Sequence, residues 1–388
     1  MSTRATAKAK QQHSLETLLQ GINIFFATYL IADREALAAV VTAMVAALWL
    51  AMWFDVRLGE PPSRWHPVVW MGNYLSLAAR RLSLGLRQPM VSHPDYKSFM
   101  LGAVAWSMGA ATVLAVTIGI QLAFSEILAE APTVFSGTLA GAAGLGALIQ
   151  MLVVVGLTNI LLAAFLKSTM AWAMLHSEVL ALEAALNPSQ GGSLASGRER
   201  LRWLVSRDVS ELSEAQVRES AIESLAENLN DSVVAPIFWF LLFGLPGAAL
   251  YRYANTADSM WGYRGQYQGR NWEWAGKWAA RVDDVMSWLP ARLTALLVPV
   301  LAGGFSLRTL RSQAAQTPSP NSGWPMAAMA MALGVSLRKP GVYVLNQDQP
   351  TPCAADTLRA TLLSSKVVVA LVFVVIPAIF LIAFRLSR

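Results

Sequence analysis

Residues 139–166 read LAGAAGLGALIQMLVVVGLTNILLAAFL, a stretch without one charged side chain. At 1.5 Å per helical residue it is longer than the roughly 30 Å of hydrocarbon in a bilayer. A helix satisfies its own backbone N–H and C=O groups, which a segment removed from water requires. Runs from Leu37 to Phe54, Phe99 to Phe124 and Lys366 to Phe384 have the same character. The whole chain agrees with them. Of 388 residues, 55% are hydrophobic and 14% charged, with a mean hydropathy of +0.45, outside the range of soluble domains. The reading is an all-α, polytopic integral membrane protein with four to six membrane-embedded segments and cytoplasmic helical loops.

Two shorter apolar segments are less regular. Val233 to Leu250 carries Pro236 and the break Gly244-Leu245-Pro246-Gly247, and Leu289 to Phe305 begins with Pro290 and Arg292. Each suits a span, a re-entrant hairpin or a buried helix. At the amino terminus, Ile22 to Ile31 runs into Asp33, Arg34 and Glu35 without the small-residue site of a cleavable signal. Residues 1–35 read as an extension and 36–388 as the membrane domain.

The net charge of +6 does not indicate nucleic acid, because Lys and Arg are spread over loops beside the apolar runs. The loop from Asp55 to Lys97 carries Arg57, Arg64, Arg80, Arg81, Arg87 and Lys97, whereas the stretch after Phe124 carries Glu126 and Glu130. The positive-inside rule then places residues 55–98 in the cytoplasm and a turn at Glu126 outside. Counting onward returns Lys167 to Asp231 to the cytoplasm. The single cysteine, Cys353, forms no internal disulfide, and four scattered histidines offer no zinc spacing. Asn187 to Gly197 reads as a linker, and the small residues from Gly141 to Gly146 suit either helix packing or an oligomer.

The most informative polar stretch is residues 207–231, RDVSELSEAQVRESAIESLAENLND. From 208 to 231 it sets seven carboxylates against Arg218 alone. Ser210 or Ser213 followed by acids reads as a helix start. Glu219, Glu223, Glu227 and Asp231 then recur every four residues and lie on one slowly rotating stripe. Like charges at that spacing destabilise an isolated helix by about 0.2–0.5 kcal/mol per pair, so the stripe needs a partner. One reading is a solvated face. The other is a Mg²⁺ site, since hard cations take carboxylate and carbonyl oxygens and hold substrate phosphates as well. Asn228 and Asn230 add neutral oxygens beside the acids.

Further polar groups follow in YRYANTADSMWGYR (251–264) and RVDDVMSWLPARLTALL (281–297). In the first, Asn255, Thr256, Asp258 and Ser259 suit a helix end or a loop lining a site. In the second, the adjacent Asp283 and Asp284 point to different sides of a helix, so one is a ligand and the other structural.

These blocks, with ESLAENLNDSVVAPIFW (223–239), DVRLGEPPSRWHPVVWMGNY (55–74) and SPNSGWPMAAMAMALGV (319–335), resemble the signature segments of the adenosylcobinamide-phosphate synthase (CobD/CbiB) family over about residues 45–385. Two departures stand out. Ser287 occupies a position where the family has Asn, and SLRKPGVYVLNQDQP (336–350) replaces a Gly-rich segment.

The resemblance implies a cobalamin-biosynthesis ligase of the cell inner membrane. ATP would activate the carboxylate of a corrinoid, adenosylcobyric acid, and (R)-1-aminopropan-2-ol or its O-phosphate would attack to form the amide. The metal ligands expected are Glu223, Glu227, Asp231, Asp258 and Asp283. Glu223, Glu227, Asn228, Asp258 and His66 are expected to act in catalysis, and Asn255, Ser259, Arg264 and Arg292 to bind substrate. No Walker A loop is present, so a nucleotide site must be built differently. A non-catalytic AmpE-like signalling relative would lack the acids. A transporter would carry charges within its spans, whereas these acids flank them.

A shared site has a topological condition. If Val233 to Leu250 crossed the bilayer, Asn255, Asp258 and Asp283 would lie opposite Glu223 and Glu227. A re-entrant segment keeps both sets at the cytoplasmic face, where ATP is. With Cys353→Ser as background, Gln266→Cys is expected to react with a membrane-impermeant maleimide from the cytoplasmic side of sealed vesicles. Labelling from the other side would sink a shared site.

Overall fold

The computed structural model describes residues 34–83, 94–139, 144–267, 269–304 and 306–377. Residues 1–33 of the amino-terminal extension and residues 140–143, at the start of the Gly141–Gly146 run, lie outside them. Four helices open the chain: α1 (Arg34–Leu58), α2 (Pro67–Ser83), α3 (Tyr96–Leu139) and α4 (Leu145–Lys167). Two shorter helices follow, α5 (Trp172–Leu186) and α6 (Leu194–Leu201). The acidic stretch forms α7 (Glu214–Leu229), and one π-helical turn (Asn230–Val234) joins it to α8 (Ala235–Trp261). Next come α9 (Lys277–Ala302), α10 (Leu307–Ala314), α11 (Gly323–Leu333) and α12 (Ala354–Ala370). The β-structure consists of two antiparallel hairpins, β1 (Gln266–Tyr267) with β2 (Arg270–Asn271) and β3 (Leu337–Lys339) with β4 (Tyr343–Leu345).

Five helices are long and apolar enough to cross a membrane, within Tyr96–Ile127, Leu145–Lys167, Glu214–Trp261, Lys277–Ala302 and Ala354–Val374. The chain is a polytopic helical membrane protein. Two expected boundaries move. The turn placed at Glu126 is absent, because α3 continues for 44 residues to Leu139, glutamates being good helix formers. The last apolar helix starts at Ala354 rather than Lys366, where Asp356 accepts from the Cys353 N–H at 3.0 Å and caps the first turn.

α1 and α4 pack through Leu48, Ala51, Ala163 and Leu166, which share one core with Ile222, Leu225 and Leu229 of α7. A second core joins α2, α3 and α8 through Leu75, Trp106, Tyr253 and Trp261. Proline chemistry ties these layers together. A proline donates no hydrogen bond to the carbonyl four residues before it. Met286 O, four before Pro290, accepts from Trp239 Nε1 at 3.0 Å, and Ser232 O, four before Pro236, accepts from the Ala171 N–H at 3.2 Å.

The segment in question doubles back. Gly244 has φ 64° and ψ −153°, which breaks α8 into two arms. This region of backbone space is almost closed to residues with a side chain. The second arm begins with Pro246, tolerated in a first turn, and its Leu245 N–H donates to Gln121 Oε1 of α3 at 2.8 Å. The return brings the Tyr251 hydroxyl and Asn255 Nδ2 each within 3.3 Å of the Asp231 carboxylate.

Gly244→Ala is expected to cost about 1–3 kcal/mol from backbone strain, and its added methyl also meets the Gln121 side chain. Thermal unfolding of the detergent-solubilised protein reads this out. A melting temperature equal to wild type would contradict the hairpin geometry.

Candidate functional site

Helix α7 starts where its sequence directs. Ser213 Oγ accepts from the Gln216 N–H at 3.3 Å, and Gln216 Oε1 accepts from the Ser213 N–H at 2.8 Å, closing a capping box. Beyond the first turn the helix is enclosed, with Glu219 fully buried and Glu223 5% exposed. A solvated acidic face is therefore not what forms, and the stripe divides in two.

The amino-terminal half is neutralised by protein cations. Arg338 Nε donates to Glu219 Oε1 at 2.9 Å, and Arg207 Nη2 stands 3.7 Å from Glu223 Oε2. Arg218 forms a separate clamp, reaching Glu183 at 2.8 Å and Glu214 at 2.6 Å. Arg338, Lys339 and Tyr343 arrive on the β3–β4 hairpin, which turns at Pro340-Gly341 with Gly341 at φ 71°. Proline then glycine is the sequence signal for such a turn. Burial, and after it the neighbouring Glu223, push the Tyr343 phenol well above its ordinary range, so it remains a hydrogen-bond donor.

The carboxy-terminal half meets the other motif blocks. Asp231 accepts from Asn230 Nδ2 at 2.7 Å as well as from Tyr251 and Asn255. Glu227 lies within electrostatic reach of Asp231 and Asp258, and Asp283 within reach of Asp231, Asp258 and Asp284. Asn230 Oδ1 is held by Thr294 Oγ1 at 3.1 Å. Ser287 shares a 3.1 Å hydrogen bond with the Tyr251 hydroxyl and so secures the return arm. Arg252 lies between Asp231 and Glu60 and donates to Ser232 Oγ at 3.2 Å.

Among the described residues, no three His, Cys, Asp or Glu side chains stand close enough to enclose a metal ion. The donor set is nevertheless that of a hard cation. It is all oxygen, and Asp283 Oδ1 and Glu223 Oε1 are buried without hydrogen-bond partners. Mg²⁺ keeps several waters and needs one or two carboxylates plus substrate phosphates, so a preassembled cage is not required. The residues fit that mode of binding.

Other expected residues have different surroundings. His66 accepts from the Val68 N–H at Nδ1 (3.2 Å) and bonds Glu60 Oε2 through Nε2 (3.0 Å), so neither ring nitrogen is free to act as a base. Glu60 also meets Lys167 at 2.8 Å, and Lys167 meets the buried Asp55 at 3.2 Å. Burial alone would raise the Glu60 carboxyl, but the hydrogen bonds from His66 and Lys167 outweigh it and leave it below its ordinary value. Arg292 is a strut rather than an open anion site. It donates to Asn321 Oδ1 at 2.6 Å, Trp288 O at 2.8 Å and Pro320 O at 3.0 Å, between the rings of Trp288 and Trp324. Asn228 Nδ2 bonds back to Ser224 O at 3.0 Å. Arg264 is exposed and lies near Asp284.

Two cavities flank the acids. One, of about 200 Å³, lies under the β3–β4 hairpin and is lined by Arg207, Glu223, Glu227, Asn228, Lys339 and Tyr343. The other, of about 360 Å³, is lined by Arg80, Ser259, Trp261, Tyr263, Arg270 and Trp272. Tyr263 borders the second and sits beside Ser206, which lines the first. Arg207, Lys339, Tyr343 and Arg252 are the functional candidates that motif reading missed. Only the Pro-Gly turn signals that the basic residues of 336–350 fold onto α7.

A polytopic helical membrane protein with a helical hairpin broken at Gly244 and a buried acidic cluster is the class defined here. The comparisons narrow it. The family model described as CobD/Cbib protein matches residues 48–372. A probable cobalamin biosynthesis protein CobD of Thermococcus kodakarensis is 36% identical over 328 residues, covering 84% of this chain and 93% of that one. Cobalamin biosynthesis protein CobD of Chromobacterium violaceum is 36% identical over 336 residues, 83% of this chain and 93% of its own. Its counterpart from Klebsiella pneumoniae is 33% identical over 323 residues, 81% and 89%. No solved structure matches. The chain belongs to the CobD/CbiB family of cobalamin biosynthesis proteins.

Arg338→Met leaves the Glu219 carboxylate buried without its cation, which is expected to cost about 1–3 kcal/mol. Glu219→Gln in the same chain is expected to restore most of the lost thermal stability. If the double variant melts no higher than Arg338→Met, the pair is not what holds the hairpin to α7.

Proposed function

We propose that this protein is an ATP-dependent ligase that forms an amide between the carboxylate of adenosylcobyric acid and (R)-1-aminopropan-2-ol or its O-phosphate. The observation that supports this reading most is the closure of the hairpin on Asp231. It gathers Glu227, Asp231, Asn255, Asp258 and Asp283 from three motif blocks, in a member of a cobalamin-biosynthesis family.

A carboxylate resists attack by an amine because its carbonyl carbon is poorly electrophilic. Transfer of the γ-phosphoryl group of ATP to a carboxylate oxygen releases ADP and gives an acyl phosphate. The amine nitrogen then bonds to the acyl carbon, inorganic phosphate leaves, and the amine gives up one proton. Such chemistry is governed by positioning and by charge neutralisation. One or two of Glu227, Asp231, Asp258 and Asp283, with waters and substrate phosphate, would hold Mg²⁺, which supplies that neutralisation for the phosphate oxygens. Asn255, already donating to Asp231, fixes the direction of that carboxylate. Ser259 and the aromatic walls of the 360 Å³ cavity offer polar and flat surfaces to the corrinoid edge. Glu223 and Glu227 would take the amine proton. His66 acts through Glu60 and Lys167 as a positioning residue. The site is assigned to the cytoplasmic face of the inner membrane, where ATP is available.

Membranes containing the protein, supplied with adenosylcobyric acid, ATP, Mg²⁺ and aminopropanol phosphate, are expected to form the amide. Glu227→Gln should slow turnover by about 100-fold or more, and chelation of the metal should stop it. No amide from wild type, or Glu227→Gln turning over as wild type does, would remove the ligase reading.

A further inference from the structure

Among the described residues, nothing covers the outer face of α2. Its inner face is occupied, since Leu75 and Ala79 pack with Tyr253 and Trp261 of α8, and the Tyr74 hydroxyl donates to Ala105 O of α3 at 2.7 Å. On the opposite side Val69, Trp70, Asn73, Leu77 and Arg81 are exposed, Trp70 and Leu77 at 51% each. Positions 69, 73, 77 and 81 recur every four residues and form one stripe along the helix. The helix does not explain that stripe by crossing the bilayer. Its 17 residues rise about 26 Å, short of the roughly 30 Å of hydrocarbon, and it is not one of the helices apolar enough to span. An uncovered apolar stripe on such a helix marks an interaction surface.

The height of α2 is set by its tether. α4, one of the membrane-length helices, ends at Lys167, whose Nζ meets Asp55 near the end of α1 at 3.2 Å and Glu60 of the connecting loop at 2.8 Å. Trp70 Nε1 donates to Arg64 O at 2.9 Å and so holds the start of α2 against the same loop. The helix therefore begins level with the ends of two apolar helices, where hydrocarbon gives way to headgroups. Exposed Trp53 and Leu58 of α1 and Trp65 of the loop, 64% exposed, continue its apolar stripe, and tryptophan favours that depth because its ring is apolar and its N–H polar.

Charge selects the occupant. Residues 53–83 contain two carboxylates, Asp55 and Glu60, and Lys167 engages both. Arg57, Arg64 and Arg81 stand exposed around the stripe, and the planar guanidinium fork matches a phosphate. Tryptophan and arginine also suit a protein partner, but the stripe runs on without a break into the apolar surface of α1, which favours lipid.

We propose that the outer face of α2, with the adjoining end of α1, lies in the plane of the bilayer surface and binds anionic phospholipid headgroups through Arg57, Arg64 and Arg81. Trp65, Trp70 and Leu77 enter the boundary of the acyl chains, as in interfacial helices. This goes beyond the ligase reading and does not depend on it. It also bears on the site, because Ser76 and Ala79 of the same helix line the 360 Å³ cavity, so that lipid seats one wall of it.

Two measurements on the full chain test this without turnover. In the first, nitroxide labels at Val69→Cys and at Leu77→Cys, each with Cys353→Ser, are read in liposomes containing phosphatidylglycerol. Both labels are expected to meet oxygen more than a water-soluble nickel chelate, and at the same depth, although they lie about 12 Å apart along the helix. Nickel access like that of a label in water would overturn the proposal, and so would shielding from both reagents, the mark of a second copy of the chain on this face. In the second, phosphatidylglycerol is added to the detergent-solubilised protein and the melting temperature is followed. It should rise more than with phosphatidylcholine, and soluble glycerol 3-phosphate should leave it unchanged. The phosphatidylglycerol concentration giving half the rise should increase about five-fold for each of Arg57→Gln, Arg64→Gln and Arg81→Gln. Equal stabilisation by phosphatidylcholine or by glycerol 3-phosphate, or a triple variant that needs no more phosphatidylglycerol than wild type, would also overturn it.

Discussion

The Asp231 carboxylate accepts hydrogen bonds from residues 20 and 24 positions further along the chain. In one continuous helix those partners would stand about 30 Å away or more, at 1.5 Å per residue. The contact therefore exists only because the chain reverses at Gly244, where a backbone conformation open to glycine and the Gln121 side chain together make the turn. A segment broken in this way is stable only when its unpaired backbone groups are met by protein. Gln121 supplies one such partner, and the carbonyls freed by Pro236 and Pro290 find others in Ala171 and Trp239. Everything that makes the acidic site a single place follows from this reversal.

The second constraint is the burial of charge. Glu219 and Glu223 are nearly or wholly removed from solvent, and a buried carboxylate needs a cation or several hydrogen-bond donors. The protein answers in two ways. At Glu219 it supplies Arg338 to Oε1 and leaves Oε2 buried without a hydrogen-bond partner. At Glu223 it supplies Arg207, 3.7 Å from Oε2, and leaves Oε1 without a partner, as it does Asp283 Oδ1. A periodic stripe of acids thus meets Arg338 and Arg207 in its first half and Asn255 and Tyr251 at its end.

Much of this was legible in the sequence, and for identifiable reasons. Membrane residence follows from uncharged runs such as 139–166, because hydropathy and length are properties of the chain alone. The start of α7 was readable to Ser210 or Ser213 because capping is a contact between residues three apart, and the structure chooses Ser213. The Pro- and Gly-broken character of 233–250 pointed to an interrupted helix for the same local reason, and the break falls at Gly244. The end of α3 was misplaced, since Glu126 interrupts hydropathy without interrupting helix.

The partners across the fold were beyond sequence reading. Which acid of the stripe meets Arg338, which meets Arg207 and which meets Asn255 depends on contacts between residues up to 119 positions apart, and periodicity carries no such information. His66 and Arg292 looked like free chemical groups until their nitrogens were found bonded to Glu60, Val68 and Asn321. The sequence by itself determined the solvent of the protein, the helices and the acidic composition of the site, because these depend on burial energy and local geometry. Tertiary structure alone decided that the helix turns back on itself, which carboxylates are neutralised and which are left open, because those outcomes are set by where distant side chains meet.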